Sequence, residues 1–404
     1  MSTLKVGAIR GVSATSDAIT IANDGTADAN LTSIAGAQLS NRNLLMNGEM
    51  IVAQRSTSAV TNSTAGSNLK YETIDRWGYW ANAASVFSIQ QVDDSPVGFS
   101  KSLKFTSAGA RSIVAGDYYM VGQGLEGGDI QHLNWGTANA KDCVLSFHVK
   151  SSLTGTFTGY LHGDDNFKPT YVFTYTILQA NTWEKKDITI TAPGTGQSGD
   201  FGSAGSTAKA LEVGFNLGVG TTYATTTINA WHEGFFKIGT TTSVDVVATN
   251  GATWQVTGVQ MEINNSGKPT EYEHRPFQQE LLLCQRYAYV VDARGSIDNF
   301  APIGIGRFYN GTDAQIFIPL PTTMRLPPAF DANNTTSSNT FFLNSAGGFG
   351  GAACTQITMN ERSFNAVTLV AQSIGNISGQ TAGIATTLYA DDADDARLMF
   401  IAEL

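Results

Sequence analysis

The side chains that could do acid–base chemistry in this sequence come in adjacent pairs. Asp93-Asp94, Asp164-Asp165 and the group Asp391, Asp392, Asp394 and Asp395 place carboxylates side by side in turn-forming surroundings. Hydrolysis of a glycosidic bond needs two carboxyl groups about 5–9.5 Å apart across the scissile bond. Adjacent aspartates in turns more often cap backbone groups or stay solvated, so no catalytic residue is assigned and no enzyme is expected. His132, His148, His162, His232 and His274 are isolated, none three or four residues from another, which is not metal-ligand spacing. No nucleophile elbow, phosphate-binding loop, GxGxxG or HExxH motif is present. Cys143, Cys284 and Cys354 are scattered and read as buried thiols in a chain made in a reducing compartment.

Aromatic residues carry a different chemistry. A sugar ring presents a C–H face that stacks on Trp or Tyr, while neighbouring polar groups read its hydroxyls. A side chain with an apolar body and a polar tip suits such a half-wet site. Trp80, Tyr118, Trp135, Asp164 and Trp231 lie in or beside expected loops and form the candidate carbohydrate-binding set. The run His162-Gly163-Asp164-Asp165-Asn166 is read as part of those loops. Trp77, Trp183 and Trp254 fall in strand patterns and are expected in the core.

The elements that must position these residues are strands. Cys143, Leu145, Phe147 and Val149 alternate with polar or outward positions, as do Tyr171, Phe173, Tyr175 and Ile177, and Leu211, Val213, Phe215 and Leu217. Period-two alternation marks strands with one buried face. About eight strands between Asn41 and Ile263, joined by Gly/Ser-rich loops, suit a jelly roll. Val259, Met261 and Ile263 end that region, and Pro276 fits the first turn of a helix over Phe277 to about Arg286. Leu281, Leu282 and Cys284 are expected to face a core from that helix. A smaller β domain follows, in which Ile316, Ile318 and Leu320 alternate and the last strand is tied into a sheet. The reading is all-β, in three parts: residues 1–40, a jelly roll over 41–276, and a linking helix with a β domain over 277–404.

Composition narrows the partners. Charged residues make up 14% of 404 residues and the net charge is -10, with no basic run. Nucleic acid is therefore not an expected partner, because neutralising phosphates takes clustered Lys or Arg. No apolar run approaches the ~20 residues of a membrane-spanning helix, and the opening MSTLKVGAIR lacks the apolar centre of a secretory signal. Met1 to Ser40 has no aromatic residue and only short apolar pulses such as Ile19/Ile21 and Leu31/Ile34. Such a segment cannot bury a core alone. It is either a flexible leader or a set of thin strands completed by other copies.

Two sets of residues carry a resemblance. One is Asn41-Arg42-Asn43-Leu44-Leu45-Met46-Asn47-Gly48 with Ala53-Gln54-Arg55 and Asp75-Arg76-Trp77. The other is Gly258-Val259-Gln260-Met261-Glu262, Thr270 to Pro276, Glu280-Leu281 and Cys284-Gln285-Arg286-Tyr287, joined by Ile401 to Leu404. Together they resemble a signature of phage tail-fibre and virion appendage proteins of the marine tailed-phage type, where they bracket a carbohydrate-binding-module-like jelly roll. The resemblance implies a structural virion protein, assembled in the host cytoplasm, that adsorbs to host-surface polysaccharide. It also implies a homotrimer attached to other virion proteins through residues 1–40, and a structural role for His274. It leaves open a glycan-degrading tailspike or a capsid-surface decoration or head-fibre protein. No cofactor is implied beyond a structural calcium near Glu49, where such modules place a ligand in the first strand.

Overall fold

Alternation of buried and exposed side chains builds two stacked antiparallel sheets. The computed structural model describes residues 8–9, 19–21, 27–29, 41–64, 68–165, 168–195, 201, 206–232, 236–263, 268–292, 301–330, 341–345, 348–373, 382–390 and 397–404. Sheet I runs Trp231–His232, Lys168–Ile177, Gly155–Asp165, Lys209–Val219, Tyr118–Glu126, Gly78–Ala81. Sheet II runs Glu184–Ile190, Cys143–Ser151, Thr253–Ile263, Ser102–Ser107, Phe87–Val92, Val60–Thr61. The sandwich thus has twelve described strands in two six-stranded sheets, not about eight. Among those not anticipated are Gly155–Asp165, Tyr118–Glu126 and Gly78–Ala81.

The core lies between the sheets. Phe147 of sheet II meets Phe215 and Tyr175 of sheet I at 4.9 and 5.2 Å between ring centroids. Trp254 lies 5.1 Å from Phe215 and donates its indole N–H to the Tyr175 hydroxyl at 3.0 Å. Trp77 and Trp254 are fully buried, as the sequence pattern predicts. Edge-to-face aromatic pairs of this kind add about 0.5–1.5 kcal/mol each beyond their area burial.

The second unit closes on itself. Ala301–Phe308, Asp313–Pro319, Ala366–Ser373, Gly348–Arg362, Phe341–Ser345 and Ala385–Ala390 form a six-stranded barrel in that order. Ile316, Ile318, Val367, Leu369 and Leu388 fill it. A small sheet, Ala288–Asp292, Arg397–Ile401 and Ala329–Phe330, stands beside the barrel, so the last strand is tied into a sheet as expected. Near the start of the chain, Ala8–Ile9, Ile19–Ile21 and Ala27–Ala29 make a three-stranded antiparallel sheet. The rest of residues 1–40 lies outside the described residues.

The linking helix spans Phe277–Gln285 and begins after Pro276, whose missing N–H is no loss there. Its buried side chains are Glu280 and Cys284. Leu282 is 48% exposed, so its expected core position is corrected. The helix turns a carboxylate inward because the buried Asn47 amide and Arg275 are there to meet it. Cys143, Cys284 and Cys354 are all buried free thiols, as expected. Among the described residues no helix is long and apolar enough to cross a membrane.

Candidate functional site

The two sets of residues, one near Asn43 and one near Tyr287, meet in one buried polar network. Asn43 accepts from the Leu45 and Met261 amides at 3.0 and 3.1 Å and donates to the Val259 carbonyl at 3.0 Å. Asn47 donates to the Val52 and Asp75 carbonyls, both at 2.8 Å, and its carbonyl accepts from the Trp77 indole at 3.0 Å. Arg55 bridges Asp75 at 2.9 Å and Glu403 at 2.8 Å. Arg76 pairs with Glu403 as well, donates to the Gly124 carbonyl at 2.6 Å, and lies 3.5 Å over the Tyr287 ring. Arg286 grips Glu126 with two 2.8 Å bonds, and the Tyr287 hydroxyl donates to the same carboxylate. Arg325, from the loop after the barrel's second strand, donates to the Ala402 carbonyl at 2.7 Å and the Thr207 carbonyl at 2.9 Å. Most of these residues are buried, and each is held by a partner distant in sequence. The network's work is to lock the sandwich, the helix and the barrel's flanking sheet together.

His274 takes part at the rim. Its Nδ1 lies 2.8 Å from Glu49 Oε1, and its ring packs on Tyr272 and Phe99 at 5.0 and 5.3 Å. Burial pushes the Glu49 carboxyl above its ordinary value, with His274 opposing. Among the described residues no three His, Cys, Asp or Glu side chains converge as a metal cage, at Glu49 or elsewhere.

The outward face of sheet I carries several of the expected sugar contacts, and that face is covered. Register pairs Trp80 with Met120, Met120 with Asn216, and Tyr160 with Gly214. The segment after Val219 lies across them: Phe236 meets Trp80 at 5.3 Å, His162 at 5.2 Å and Tyr223 at 5.7 Å. Gly214 leaves the room for Tyr160, because a Cβ there would stand 2.4 Å from its ring. Beneath lies Glu212, bonded to the Tyr160 hydroxyl at 2.9 Å, Lys209 at 3.1 Å and His162 at 3.3 Å. Burial alone would raise the Glu212 carboxyl, but Lys209 and His162 outweigh it and hold it well below the usual range.

The five expected residues therefore fall into separate places. Trp80 is a strand residue, 7% exposed and packed on Tyr118 and Phe236, not a loop residue. Tyr118, partly exposed, begins a strand and packs also on Tyr223. Trp135 is 6% exposed, with its indole N–H bonded to the Lys141 carbonyl at 2.8 Å. It meets Trp231 at 5.4 Å and Phe201 at 5.6 Å. Trp231 is partly exposed on an edge strand and bonded to the Thr191 carbonyl at 2.6 Å. Asp164 belongs to the strand Gly155–Asp165, so the loop expected there begins later; its side chain and the Asp391–Asp395 group lie outside the described residues. Trp80 and Trp231 sit on opposite edge strands of the six-stranded sheet, about 24 Å apart at ~4.8 Å per strand. One sugar ring cannot touch both.

Of the three tryptophans expected in the core, Trp183 is the one the fold leaves partly exposed. Trp183 is partly exposed at the entry to Glu184–Ile190, an edge strand of sheet II. Its indole N–H donates to Asp94 Oδ1 at 3.2 Å, and the Lys150 amine lies 5.1 Å from its ring centroid. Lys150 pairs with Asp94, and Gln255 donates to the same carboxylate at 3.2 Å. Burial tends to raise the Asp94 carboxyl, but hydrogen bonds from Lys150, Trp183 and Gln255 lower it below its ordinary value. Neighbouring Asp93 is held separately by Lys101, so these two aspartates do not face each other across a cleft. Register continues the row: Lys150 pairs with Gln255, Gln255 with Lys104, and Lys104 with Gln90. The unbroken charged run Glu184-Lys185-Lys186-Asp187 was the sequence signal of a strand wet on one face and at its edge.

Comparison of the sequence with protein-family descriptions and with characterised proteins finds no match. Solved structures with partial similarity include the enzymatically active domain of tailspike protein 4 of bacteriophage CBA120, at 14% identity and a TM-score of 0.29. The overlap covers 55% of this chain and 21% of that one, about a fifth of its length. A CBM4 structure overlaps 54% of this chain and 98% of its own, at 14% identity and a TM-score of 0.27. The family 11 carbohydrate-binding module of Clostridium thermocellum, solved with a mixed-linked tetrasaccharide, overlaps 52% and 97%, at 11% identity and a TM-score of 0.26. At such scores no ligand or activity is carried over from them.

Proposed function

We propose that this chain is a structural virion protein, a phage tail-fibre subunit that adsorbs to host-surface glycans through its jelly roll without cleaving them. The observation that carries the reading is the junction network. Both halves of the motif that resembles virion appendage proteins converge on it, from Asn43 and Asn47 to Tyr287 and Glu403. A rigid junction suits a subunit that must present a β-sandwich at a fixed angle while bearing load. The surface row at Trp183 gives the sandwich a polar, aromatic face to present.

In this reading residues 1–40 join the subunit to other virion proteins and to two further copies. Three-fold repetition multiplies weak contacts, and avidity then exceeds single-site affinity by about 10²–10⁴ where geometry permits. Two measurements test it. Gold-labelled antibody against the purified chain should decorate virion tails, and light scattering should give the mass of three chains. Label on the head surface would make it a decoration or head-fibre protein, and a stable monomer would remove the trimeric attachment.

A further inference from the structure

The outward face of sheet II offers a contact surface that the sequence pattern hid. Gln90, Lys104, Gln255 and Lys150 stand in one cross-strand row, in which Gln255 is buried beside Asp94 while Gln90, Lys104 and Lys150 are partly exposed, and Trp183 lies beside Lys150 at its end. The row with Trp183 spans five strands, about 19 Å at ~4.8 Å per strand. Trp183 is anchored rather than free: Asp94 holds its N–H, and the same carboxylate holds Lys150 and Gln255. The Asp94 side chain is still 50% exposed, so an acceptor remains available. No aromatic ring among the described residues packs against the Trp183 indole, in contrast to Trp80 and Trp135.

We infer that this row, with Trp183 as its stacking platform, is a binding strip for an extended neutral glycan chain. The inference rests on the glycan-binding reading above and names its site and ligand class. An indole with a fixed orientation loses little freedom when a pyranose face stacks on it. Amide and ammonium groups alternate along the row and the Asp94 carboxylate stands beside its end, a mixture that matches hydroxyls that both donate and accept. Most charges at the strip are internally paired, Lys150 with Asp94, Lys101 with Asp93 and Lys185 with Asp187, and Lys104 stands alone among the described residues there. A polyanion would have to displace Asp94 from Lys150 and would face Asp93 and Asp187, whereas a neutral chain meets no such opposition. Clustered, uncompensated lysines would be needed to hold a polyanion firmly.

The test is affinity electrophoresis of the full-length protein in gels cast with dextran, laminarin or galactomannan, and separately with alginate. The parent should be retarded in at least one neutral gel, equally at about 50 mM and about 300 mM NaCl, since screening touches charge pairing and not stacking. Trp183→Ala should weaken that retardation by up to about tenfold, the fold-change of a lost aromatic contact of up to ~1.5 kcal/mol. Trp183→Tyr should recover part of it, and both variants should keep the parental melting temperature. Retardation unchanged in Trp183→Ala overturns the site while leaving glycan binding standing. Retardation in alginate alone, lost at high salt, overturns the neutral ligand class. No retardation of the parent in any gel overturns the strip and counts against the glycan-binding reading as well.

Discussion

Replacing Glu403 by Ala should uncouple the barrel from the sandwich. The Glu403 side chain is 9% exposed and holds two guanidinium groups, of Arg55 and Arg76, whose side chains are 5% and 1% exposed. Removing one partner of a buried ion pair costs about 3–5 kcal/mol, because the other charge stays desolvated. Here Arg55 keeps Asp75, and Arg76 keeps the Gly124 carbonyl and the Tyr287 ring, so the lower end of that range applies. We expect a loss of about 3 kcal/mol. All six tryptophans, from Trp77 to Trp254, belong to the sandwich, so their fluorescence follows that unit alone. Far-ultraviolet circular dichroism follows both units. In the parent the two signals should change together on urea unfolding, and in Glu403→Ala they should separate, with the barrel melting first. A change below about 1 kcal/mol with coincident transitions is the behaviour of a solvated surface pair, and it would refute the clamp.

Leu282→Asp should shift stability by no more than about 0.5 kcal/mol, since the side chain is largely exposed. Cys284→Asp, one helical turn from Glu280 and fully buried, should prevent stable folding; matching melting curves for the two variants would contradict the helix orientation. The Asp117 carboxyl is raised by burial but lowered further by Arg111, the Val114 amide and Asn82, so it ends below its ordinary value. A depressed folded value means the folded state binds fewer protons near that pH. Its contribution is therefore whole above the unfolded value of about 3.9 and lost as pH falls through the folded one. Asp117→Asn should be less stable at neutral pH and show a shallower acid limb below about pH 4; an acid limb identical to the parent's would assign acid sensitivity elsewhere.

Strands with one wet face were legible; of those covered on both sides, Lys209–Val219 and Thr253–Ile263 were found by their alternating large apolar residues, and Tyr118–Glu126 was not. Cys143–Ser151 alternates because its outward residues, His148 and Lys150 among them, reach the surface. Tyr118–Glu126 is buried from Tyr119 to Glu126, and Gly122 and Gly124 stand where alternation would put side chains. Its glycines leave room for Tyr160, Lys209 and the chain's last residues, a tertiary reason that no local pattern announces. Trp80 looked loop-borne because its strand, Gly78–Ala81, is four residues long and buried throughout. The helix was placed correctly within a residue, but its inward face was misjudged. Apolar character favoured Leu282, while the fold turned Glu280 toward the buried Asn47 amide and the Arg275 guanidinium. The motif residues were found by resemblance, and their physical role, satisfying one another across more than two hundred positions, appears only in three dimensions.

The most direct test of the adsorption account is to mix the purified full-length protein with polysaccharide extracted from a susceptible host. Bound protein and the polysaccharide's chain length are then followed by size-exclusion chromatography. The account predicts saturable co-elution with the polysaccharide and an unchanged chain length after prolonged incubation. Shortened chains would make the protein a glycan-degrading tailspike, and failure to co-elute would contradict adsorption through glycans.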